Sequence, residues 1–313
     1  FFLSGGIDSS TVVASAAVSA TDLETFSIGF DTPEHSEVSY AREVADRLGT
    51  EHHERTLSKR RAQAMLPDVQ HWFDEPFADE SCLPTQFVSA TARERVTVVL
   101  TGDGGDEVFG GYRTYTRYAR YSRFPAWPSV LDAWVSDLRQ RVSGRRMKKA
   151  LSQIEWAFSS DIALWGKLMG GLTPAEKRPY ASELGIPPDY DHYWQYRRHW
   201  HEEVPPRTRL QLVDFHTYLP DDILTKVDRT SMSVSLEARV PLLDRRLIEF
   251  SFKLPEEIRY AGGQLKGLLK HAYRGILPDS VLDRKKKGFG TPRYYFGSAG
   301  PTELQKRIFE SYR

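Results

Sequence analysis

Residues 1–10 read FFLSGGIDSS, and the apolar run TVVASAAVSA follows at 11–20. This pattern predicts the end of a strand, a tight turn and a helix. Gly5 and Gly6 lack Cβ atoms, so the turn can take positive φ values and approach a ligand closely. The first N–H groups of the helix have no partners within the helix and favour an anion. The stretch therefore predicts a phosphate-binding turn. Its hydroxyl donors are Ser4, Ser9 and Ser10.

An acid within this turn needs a separate explanation. Asp8 beside a phosphate is explained by a divalent cation between the two anions. An ordinary turn with a Ser/Asp helix cap is the alternative from these residues alone. The glycines are not followed by Lys and then Ser or Thr, so the chain is not a standard P-loop NTPase.

The composition bounds the class of protein. Among 313 residues, 43 basic and 42 acidic side chains leave a net charge of +1, so no global field attracts nucleic acid or a membrane surface. Hydrophobic residues make up 40%, which is typical of a folded protein, and no apolar run reaches the roughly 20 residues that span a bilayer. A single cysteine, Cys82, excludes an internal disulfide framework. We expect a structural thiol, a cytoplasmic location and, because the chain begins within a strand and without Met, a piece of a longer protein.

Strands and helices alternate after the opening turn. Residues 23–30 are β-branched and aromatic and predict a strand. Residues 38–48 have the apolar spacing of an amphipathic helix that ends at Gly49, and 96–100 is a continuous apolar strand. This order predicts an α/β protein with a doubly wound parallel sheet, whose ligand site lies beyond the carboxyl ends of the strands. The rest of the chain is helix-rich. Helices are predicted at 65–73, 83–95, 210–219, 228–237, 244–252 and 263–277.

The motif Glu51-His52-His53-Glu54 invites a metal-site interpretation. Successive side chains on a strand point to opposite faces, so His52 and His53 are not expected to chelate one ion together. A strand with exposed polar residues is the preferred interpretation.

A second glycine and acid loop, TGDGGDEVFGGY, follows the buried strand at residues 101–112. Clustered carboxylates repel one another, so a cation is expected to compensate them. A solvated acidic loop is the alternative when this segment is taken alone. Two such loops that end two strands of one sheet should meet in one crevice, and we predict that Asp8 and Asp106 share Mg²⁺ bound to ATP.

Several long motifs, taken together, resemble the synthetase domain of the glutamine-dependent asparagine synthetases, a branch of the PP-loop ATP pyrophosphatases. The resemblance extends over nearly the whole chain and is weaker at about 120–205. In chain order the motifs are SGGIDSS, FSIGF, LGTEHHE, DEPFADESCLPT, VVLTGDGGDEVFGGY, LPDDILTKVDRTSMSVSLEARVPLLD and LPDSVLDRKKKGF.

The resemblance implies a fold and a reaction. Residues 1–313 would form one synthetase domain of PP-loop type, with the nucleotide-binding core at 1–120 and a mostly helical remainder at 121–313. Mg-ATP would adenylate a carboxylate, most directly the side chain of aspartate, and release pyrophosphate. Ammonia would then displace AMP to give asparagine. In the family, an N-terminal glutaminase domain, which is absent from this sequence, releases that ammonia from glutamine. A homodimer is a further expectation.

The resemblance also assigns roles to individual residues. Asp103 stands where the family carries an acid, often Glu, for the ammonia step. Lys286 matches the lysine of an RxKxxF pattern that contacts phosphates. Asp222 is the candidate for contacting the amino-acid substrate, with helix capping as its alternative, and Thr225 departs from the Arg of some members. The predicted ATP-binding residues are Leu3, Ser4, Gly5, Gly6, Asp8, Ser9, Ser10, Ile28, Thr101 and Gly102.

Other functions stay open at this stage. Related enzymes, including β-lactam synthetases, peptide cyclases and polysaccharide-linked amidotransferases, activate other carboxylates. Some PP-loop enzymes modify tRNA, and Tyr and Arg alternate from Tyr112 to Arg123, a pattern that can bind nucleic acid. The near-neutral charge favours a partly buried helix face for that segment. An ATP-binding scaffold without activity is disfavoured because both glycine loops and both predicted metal-binding acids are present.

Overall fold

The computed structural model describes residues 1–32, 36–124, 129–159, 161–169, 177, 181, 185–187, 190–285 and 288–296. The chain forms two compact units. One unit comprises Phe1–Phe109 and Tyr218–Arg313, and the other is Gly110–Thr217. The organisation as one synthetase domain over 1–313 stays a prediction.

Parallel strands run through the first unit. β1 (Glu24–Phe30) pairs with β2 (Glu51–Leu57), and β3 (Val98–Leu100) pairs with β4 (Glu237–Arg239). Both pairs are parallel, as alternating strands and helices require, because a parallel partner is reached only through a crossover connection. The predicted mixed α/β class with parallel strands is confirmed.

The first residues of the chain connect the two strand pairs. The N–H of Phe2 donates to the carbonyl of Leu100 at 3.0 Å, and the N–H of Leu3 donates to the carbonyl of Phe26 at 2.8 Å. The opening turn therefore begins between β1 and β3. As a result, the turn after Leu3 and the loop after Leu100 begin side by side.

Helices cover the strands of the first unit. Phe26, Leu57 and Leu83 belong to one buried hydrophobic cluster, whereas Leu3 and Val44 belong to a second. None of the helices in the described part of the first or second unit is long and apolar enough to cross a membrane. The helices of the first unit are α1 (Ile7–Ala16), α2 (Val38–Leu48), α3 (Lys59–Met65), α4 (Val69–Trp72), α5 (Cys82–Arg93) and α6 (Gly105–Phe109), followed after the second unit by α13 (Thr225–Met232), α14 (Arg245–Lys253), α15 (Glu256–Arg259), α16 (Gly267–Ala272) and α17 (Asp279–Leu282).

Two of the predicted helices were too long. The helix predicted at 228–237 is α13, which ends at Met232, and Glu237–Arg239 forms β4. Ser235 takes a φ of 59°, which interrupts the helix. The polar sequence Glu-Ala-Arg carries no local strand signal, and the strand forms because the N–H of Glu237 donates to the carbonyl of Thr97 at 2.9 Å. The helix predicted at 263–277 is likewise shortened to α16.

The second unit is helical in its described part. Its core contains Tyr115, Tyr118, Leu164, Trp165 and Leu210. The two tyrosines are fully buried, so the aromatic residues of the Tyr and Arg segment pack into the protein rather than forming a stacking surface. The helices are α7 (Arg113–Tyr121), α8 (Ser129–Arg141), α9 (Arg145–Ala157), α10 (Asp161–Leu168), α11 (Trp194–Arg197) and α12 (Pro206–His216).

A buried acid in the core of the second unit makes the stability of the protein depend on pH. Asp214 is 1% exposed, and burial raises its pKa to about 7, although the Tyr115 hydroxyl and the Trp165 indole oppose the shift. The folded state therefore holds a proton that the unfolded state loses above pH 4. Stability falls as the pH rises from about 4 to about 7.

Asp214→Asn should remove most of this pH dependence. Between pH 5 and pH 8 we expect the wild-type protein to lose up to roughly 3 kcal/mol of unfolding free energy and the variant to lose clearly less, since one pKa unit corresponds to about 1.4 kcal/mol. Denaturant unfolding at pH 5 and pH 8 measures this loss of unfolding free energy in the wild-type protein and in the variant. Equal losses in the two proteins would contradict the assignment to Asp214.

Candidate active site

The opening turn has the conformation that its glycines allow. Gly5 takes a φ of +68°, and a Cβ at this position would lie 2.6 Å from the backbone nitrogen of Ala41. α1 begins at Ile7, after Gly6 in the cap position, where no side chain is available to accept from the first N–H groups. Gly6 therefore provides no side-chain cap for the first N–H groups of α1, and the binding of an anion at them stays a prediction.

Serine hydroxyls fix the shape of this turn. The hydroxyls of Ser4 and Ser9 are hydrogen-bonded at 3.0 Å, and the N–H of Gly6 donates to Ser4 Oγ at 3.3 Å. Ser10 is fully buried in α1. The Ser4 and Ser9 hydroxyls thus organise the backbone, whatever further bond they make to a ligand.

The two glycine loops meet, as the sequence predicted. A Cβ on Gly102 would lie 2.5 Å from the backbone nitrogen of Ser9, and one on Gly105 would lie 2.5 Å from Asp8 Oδ1. Glycine at both positions lets the second loop pack directly on the first turn of α1. This contact places Asp8 and Asp106 in one site.

Gly102→Ala should disturb this contact. Because the Cβ would meet backbone rather than a flexible side chain, we expect a destabilisation of about 1–3 kcal/mol and weaker ATP binding. Gly144→Ala is the control, since its Cβ would meet only Met147 Cβ, at 3.9 Å. Thermal unfolding and calorimetric ATP titration of both variants provide the test. A Gly102→Ala protein that matches this control in both measurements would show that the loops do not need the close approach.

A buried lysine lies between the two predicted metal-binding acids. Lys266 Nζ donates to Asp8 Oδ2 and lies 2.5 Å from Asp106 Oδ1. The lysine side chain is 7% exposed, and the two carboxylates are about one-fifth exposed. Burial lowers the pKa of Lys266, but Asp106 and Asp8 outweigh that effect and raise it overall. The site therefore contains a permanent cation.

No local sequence pattern identifies Lys266 as a site residue. Its motif, LKGLL, lies within the helix predicted at 263–277. In the structure Lys266 precedes α16 and takes a φ of 54°, a left-handed conformation that residues other than glycine seldom adopt. Gly267 permits the turn, because a Cβ there would lie 2.4 Å from the backbone of Ala261. Backbone strain of this kind is concentrated at functional sites.

A second lysine lies in a cluster of carboxyl groups around Asp103. Lys226 Nζ donates to Asp79 Oδ2 at 2.7 Å. Burial raises the pKa of Asp103, while the charge of Lys226 opposes that shift. Burial and the neighbouring Asp79 raise the pKa of Asp222 to about 6. The cluster therefore joins two predicted site residues, Asp103 and Asp222, with two that the sequence did not indicate.

Three of the remaining predicted ATP-binding residues, Leu3, Ile28 and Thr101, are buried. Ile28 lies within β1, and Thr101 directly follows β3. Their contact with ATP stays a prediction. Lys286 lies outside the described residues, so its predicted role stays a prediction. Its neighbour Arg284 is ion-paired with Glu37 at 2.5 Å.

Cys82 and the histidine pair have structural surroundings. Cys82 is fully buried, and burial raises its pKa, so the thiol is a poor nucleophile, as predicted. His52 bonds the hydroxyls of Thr25 and Ser27 at 2.7 and 3.1 Å. His53 instead faces two glutamates.

The two glutamates beside His53 are already neutralised. His53 Nε2 lies 3.1 Å from Glu24 and 3.4 Å from Glu51. Arg95 donates to both carboxylates, at 2.5 and 2.7 Å. A guanidinium of the chain itself therefore offsets the charges of Glu24 and Glu51.

Comparison with known proteins points to one family. A family model described as asparagine synthase matches residues 1–311. The chain is 34% identical over 307 residues to asparagine synthetase (glutamine-hydrolyzing) 1 of Bacillus subtilis strain 168, covering 93% of the chain and 46% of that protein. It is 27% identical over 324 residues to asparagine synthetase (glutamine-hydrolyzing) 3 of the same organism, covering 98% and 47%.

A more distant relative carries a different name. The chain is 23% identical over 354 residues to amidase chry2 of Gibberella zeae, covering 99% of the chain and 51% of that protein. In all three cases the chain spans about half the length of the curated relative it matches.

Proposed function

The chain belongs to the asparagine synthase family, and on that basis we propose that it adenylates the side-chain carboxylate of aspartate with ATP and passes the acyl group to ammonia, giving asparagine. The observation that carries this proposal is the buried Lys266 between Asp8 and Asp106, at the start of α1. This arrangement places a cation and a set of helix N–H groups where one polyanion could bind. A leaving pyrophosphate requires both, because negative charge develops on it as it departs.

ATP is proposed to bind across the two glycine loops. The pyrophosphate portion would lie at the uncapped start of α1, and the adenosine would lie against Leu3, Ile28, Thr101 and Gly102, in the manner of the PP-loop enzymes. The parallel strands and the meeting of both loops support this placement. A doubly wound sheet of PP-loop type is part of the same proposal.

Adenylation is the step that the site favours. A carboxylate is a poor electrophile, so the substrate carboxylate attacks the α-phosphorus, pyrophosphate leaves, and a mixed anhydride forms. Both reactants are anions, and their approach needs fixed positive charge. Lys266 supplies that charge at the described part of the site, and we propose that its ammonium contacts the departing pyrophosphate.

Mg²⁺ is proposed to bind at Asp8 and Asp106. Both side chains offer the oxygen ligands that the ion prefers. Asp8 and Asp106 share the single positive charge of Lys266, and phosphate groups bound beside them would add negative charge for the ion to offset. When bound, the ion would offset charge on the phosphates of ATP.

Amide formation is proposed to use Asp103. Ammonia attacks the acyl carbon, AMP leaves, and the nitrogen must lose a proton to a nearby base. Asp103 lies on the loop of Asp106 and is the acid we assign to that proton transfer. Asp222 is proposed to contact the amino-acid substrate. Glutamine is the proposed ammonia source, through a glutaminase part of the kind that the relatives' names imply.

A second candidate keeps the chemistry and changes the acid. The match to a relative named as an amidase favours this alternative. Under this alternative, the substrate would be a carboxylic acid of the kind used by β-lactam synthetases, peptide cyclases or polysaccharide-linked amidotransferases. A cytoplasmic location and a homodimer also stay proposals.

The test is pyrophosphate release by the purified protein with Mg-ATP and ammonium chloride. We expect release that depends on aspartate, with equimolar AMP and asparagine. The comparison panel contains glutamate, β-amino acids, peptides with free carboxylates and bulk tRNA. Release with a different acid would replace aspartate in the proposal. Release with tRNA alone, or with no substrate of the panel, would contradict it.

A further inference from the structure

A buried ion pair adjoins Asp103 and is not used by the adenylation site. Lys226 Nζ donates to Asp79 Oδ2 at 2.7 Å, and the lysine side chain is 8% exposed. Asp79 is fixed in turn by Ser81, whose N–H and hydroxyl donate to its two oxygens at 2.8 and 2.7 Å. The ammonium of Lys226 is therefore held by an anion whose own orientation is set by two hydrogen bonds.

The same ammonium acts on two further carboxyls. Burial raises the pKa of Asp103 and of Asp222, and the charge of Lys226 opposes both shifts. Burial lowers the pKa of Lys226, but the charges of Asp79, Asp103 and Asp222 raise it overall. Asp106 also raises the pKa of Asp103. Within the described part of the chain, Lys226 is therefore a cation that offsets several carboxyls at once.

Pairing between distant segments brings Lys226 to this position. β4 follows α13, and β4 pairs with β3, which ends just before the Asp103 loop. The N–H of Thr101 donates to the carbonyl of Arg239 at 2.9 Å, which extends that pairing to the loop itself. α13 also packs on α5, the helix that follows Ser81. These contacts hold the helix that carries Lys226 against α5 and tie the start of the Asp103 loop to the end of β4.

We infer that Lys226 is a positioning residue for amide formation, because its ammonium, held by Asp79, keeps the Asp103 carboxylate charged and in place to accept a proton. This inference rests on the proposed function. In the step concerned, a bond forms between the ammonia nitrogen and the acyl carbon, and the bond from that carbon to the AMP oxygen breaks. The electron pair leaves with AMP, and one proton passes from nitrogen to Asp103. Lys226 neither gives nor takes an atom.

The experiment separates the two half-reactions. Exchange of labelled pyrophosphate into ATP, with saturating aspartate and without ammonia, reports adenylation independently of any change in aspartate affinity through Asp222. Formation of asparagine at saturating ammonium chloride reports the whole reaction. The proteins compared are wild type, Lys226→Met, Lys226→Arg, Asp79→Asn, Asp103→Asn and the double variant Asp103→Asn/Lys226→Met, each with a thermal unfolding curve.

We expect Lys226→Met to lower asparagine formation by about 10- to 100-fold, within the range that proton transfer contributes, while exchange changes by less than about 3-fold. Lys226→Arg should restore most of the loss because it keeps the charge. In the Asp103→Asn background, removing Lys226 should cost no further activity, because a group that acts only through Asp103 has nothing left to act on.

Two results would overturn the inference. One is an equal loss of exchange and of asparagine formation in Lys226→Met, and the other is an additive loss in the double variant. If Lys226→Met does not fold, Asp79→Asn decides, because it leaves the ammonium but removes its anchor and should show the same selective loss. Absence of exchange in the wild-type protein with every acid of the panel would instead contradict the proposed function.

Discussion

Lys266→Met is expected to lower the rate of ATP–pyrophosphate exchange by about 100- to 1,000-fold, the effect of removing one preorganised charge donor from a polar transition state. The ammonium contacts both acids of the site and is the charge that we assign to the leaving pyrophosphate. Because charge on pyrophosphate develops as the bond breaks, we expect the rate to fall much more than ATP affinity does. Pre-steady-state exchange and equilibrium ATP titration measure the two quantities separately.

The matched control is Lys270→Met, one turn along α16. Lys270 Nζ donates to the exposed Gln264 at 2.9 Å rather than to either acid of the site, so its replacement should change the rate by less than about 3-fold. Lys266→Met also leaves two partly buried carboxylates without their shared cation, so a thermal unfolding curve must accompany the kinetics. A folded Lys266→Met protein that loses only ATP affinity would contradict the role in the transition state.

Asp106→Asn and Asp8→Asn are expected to lower adenylation by about 100-fold or more at a fixed Mg²⁺ concentration, with partial recovery as Mg²⁺ is increased. Each substitution keeps the shape of the side chain and removes one of the two anionic oxygen ligands. Binding of Mn²⁺ in the presence of ATP, followed by electron paramagnetic resonance, gives a readout that does not depend on turnover. We expect weaker Mn²⁺ binding in both variants.

Asp46→Asn provides the control for these substitutions. Asp46 is an exposed acid on α2 and should leave both Mn²⁺ binding and exchange at their wild-type values. If Asp106→Asn and Asp8→Asn lose activity but bind Mn²⁺ as tightly as this control, then their role is to hold Lys266 and not a metal ion. That result would revise the proposal at its metal site while leaving the lysine in place.

Local sequence determined much of the fold of the first unit. The helix at Val38–Leu48 was predicted with its correct bounds, because its apolar spacing and the following Gly49, with a φ of 68°, both act within a few residues. The strands β1 and β3 were predicted to within two residues, whereas the strand predicted at residues 51–54 extends to Leu57 as β2. β4 was missed, since its three residues become a strand only by pairing with β3.

The two glycine loops and their acids were also readable from sequence alone. Gly5 and Gly102 are needed because backbone approaches backbone at those points, and glycine followed by an acid at a strand end is a local pattern. The sequence therefore determined that the two glycine loops, with Asp8 and Asp106, meet at this edge of the strands, where we propose that a polyanion binds.

Only the tertiary structure decided which lysines pair with the carboxylates of the site. Lys266 meets Asp8 across 258 positions of the chain, and Lys226 meets Asp79 across 147. Neither lysine differs in its local sequence from one that lies at the surface, and the basic run around Lys286 was the stronger local signal. An ion pair becomes strong only when both charges are withdrawn from water, and that withdrawal depends on packing between distant segments rather than on the neighbours of either residue.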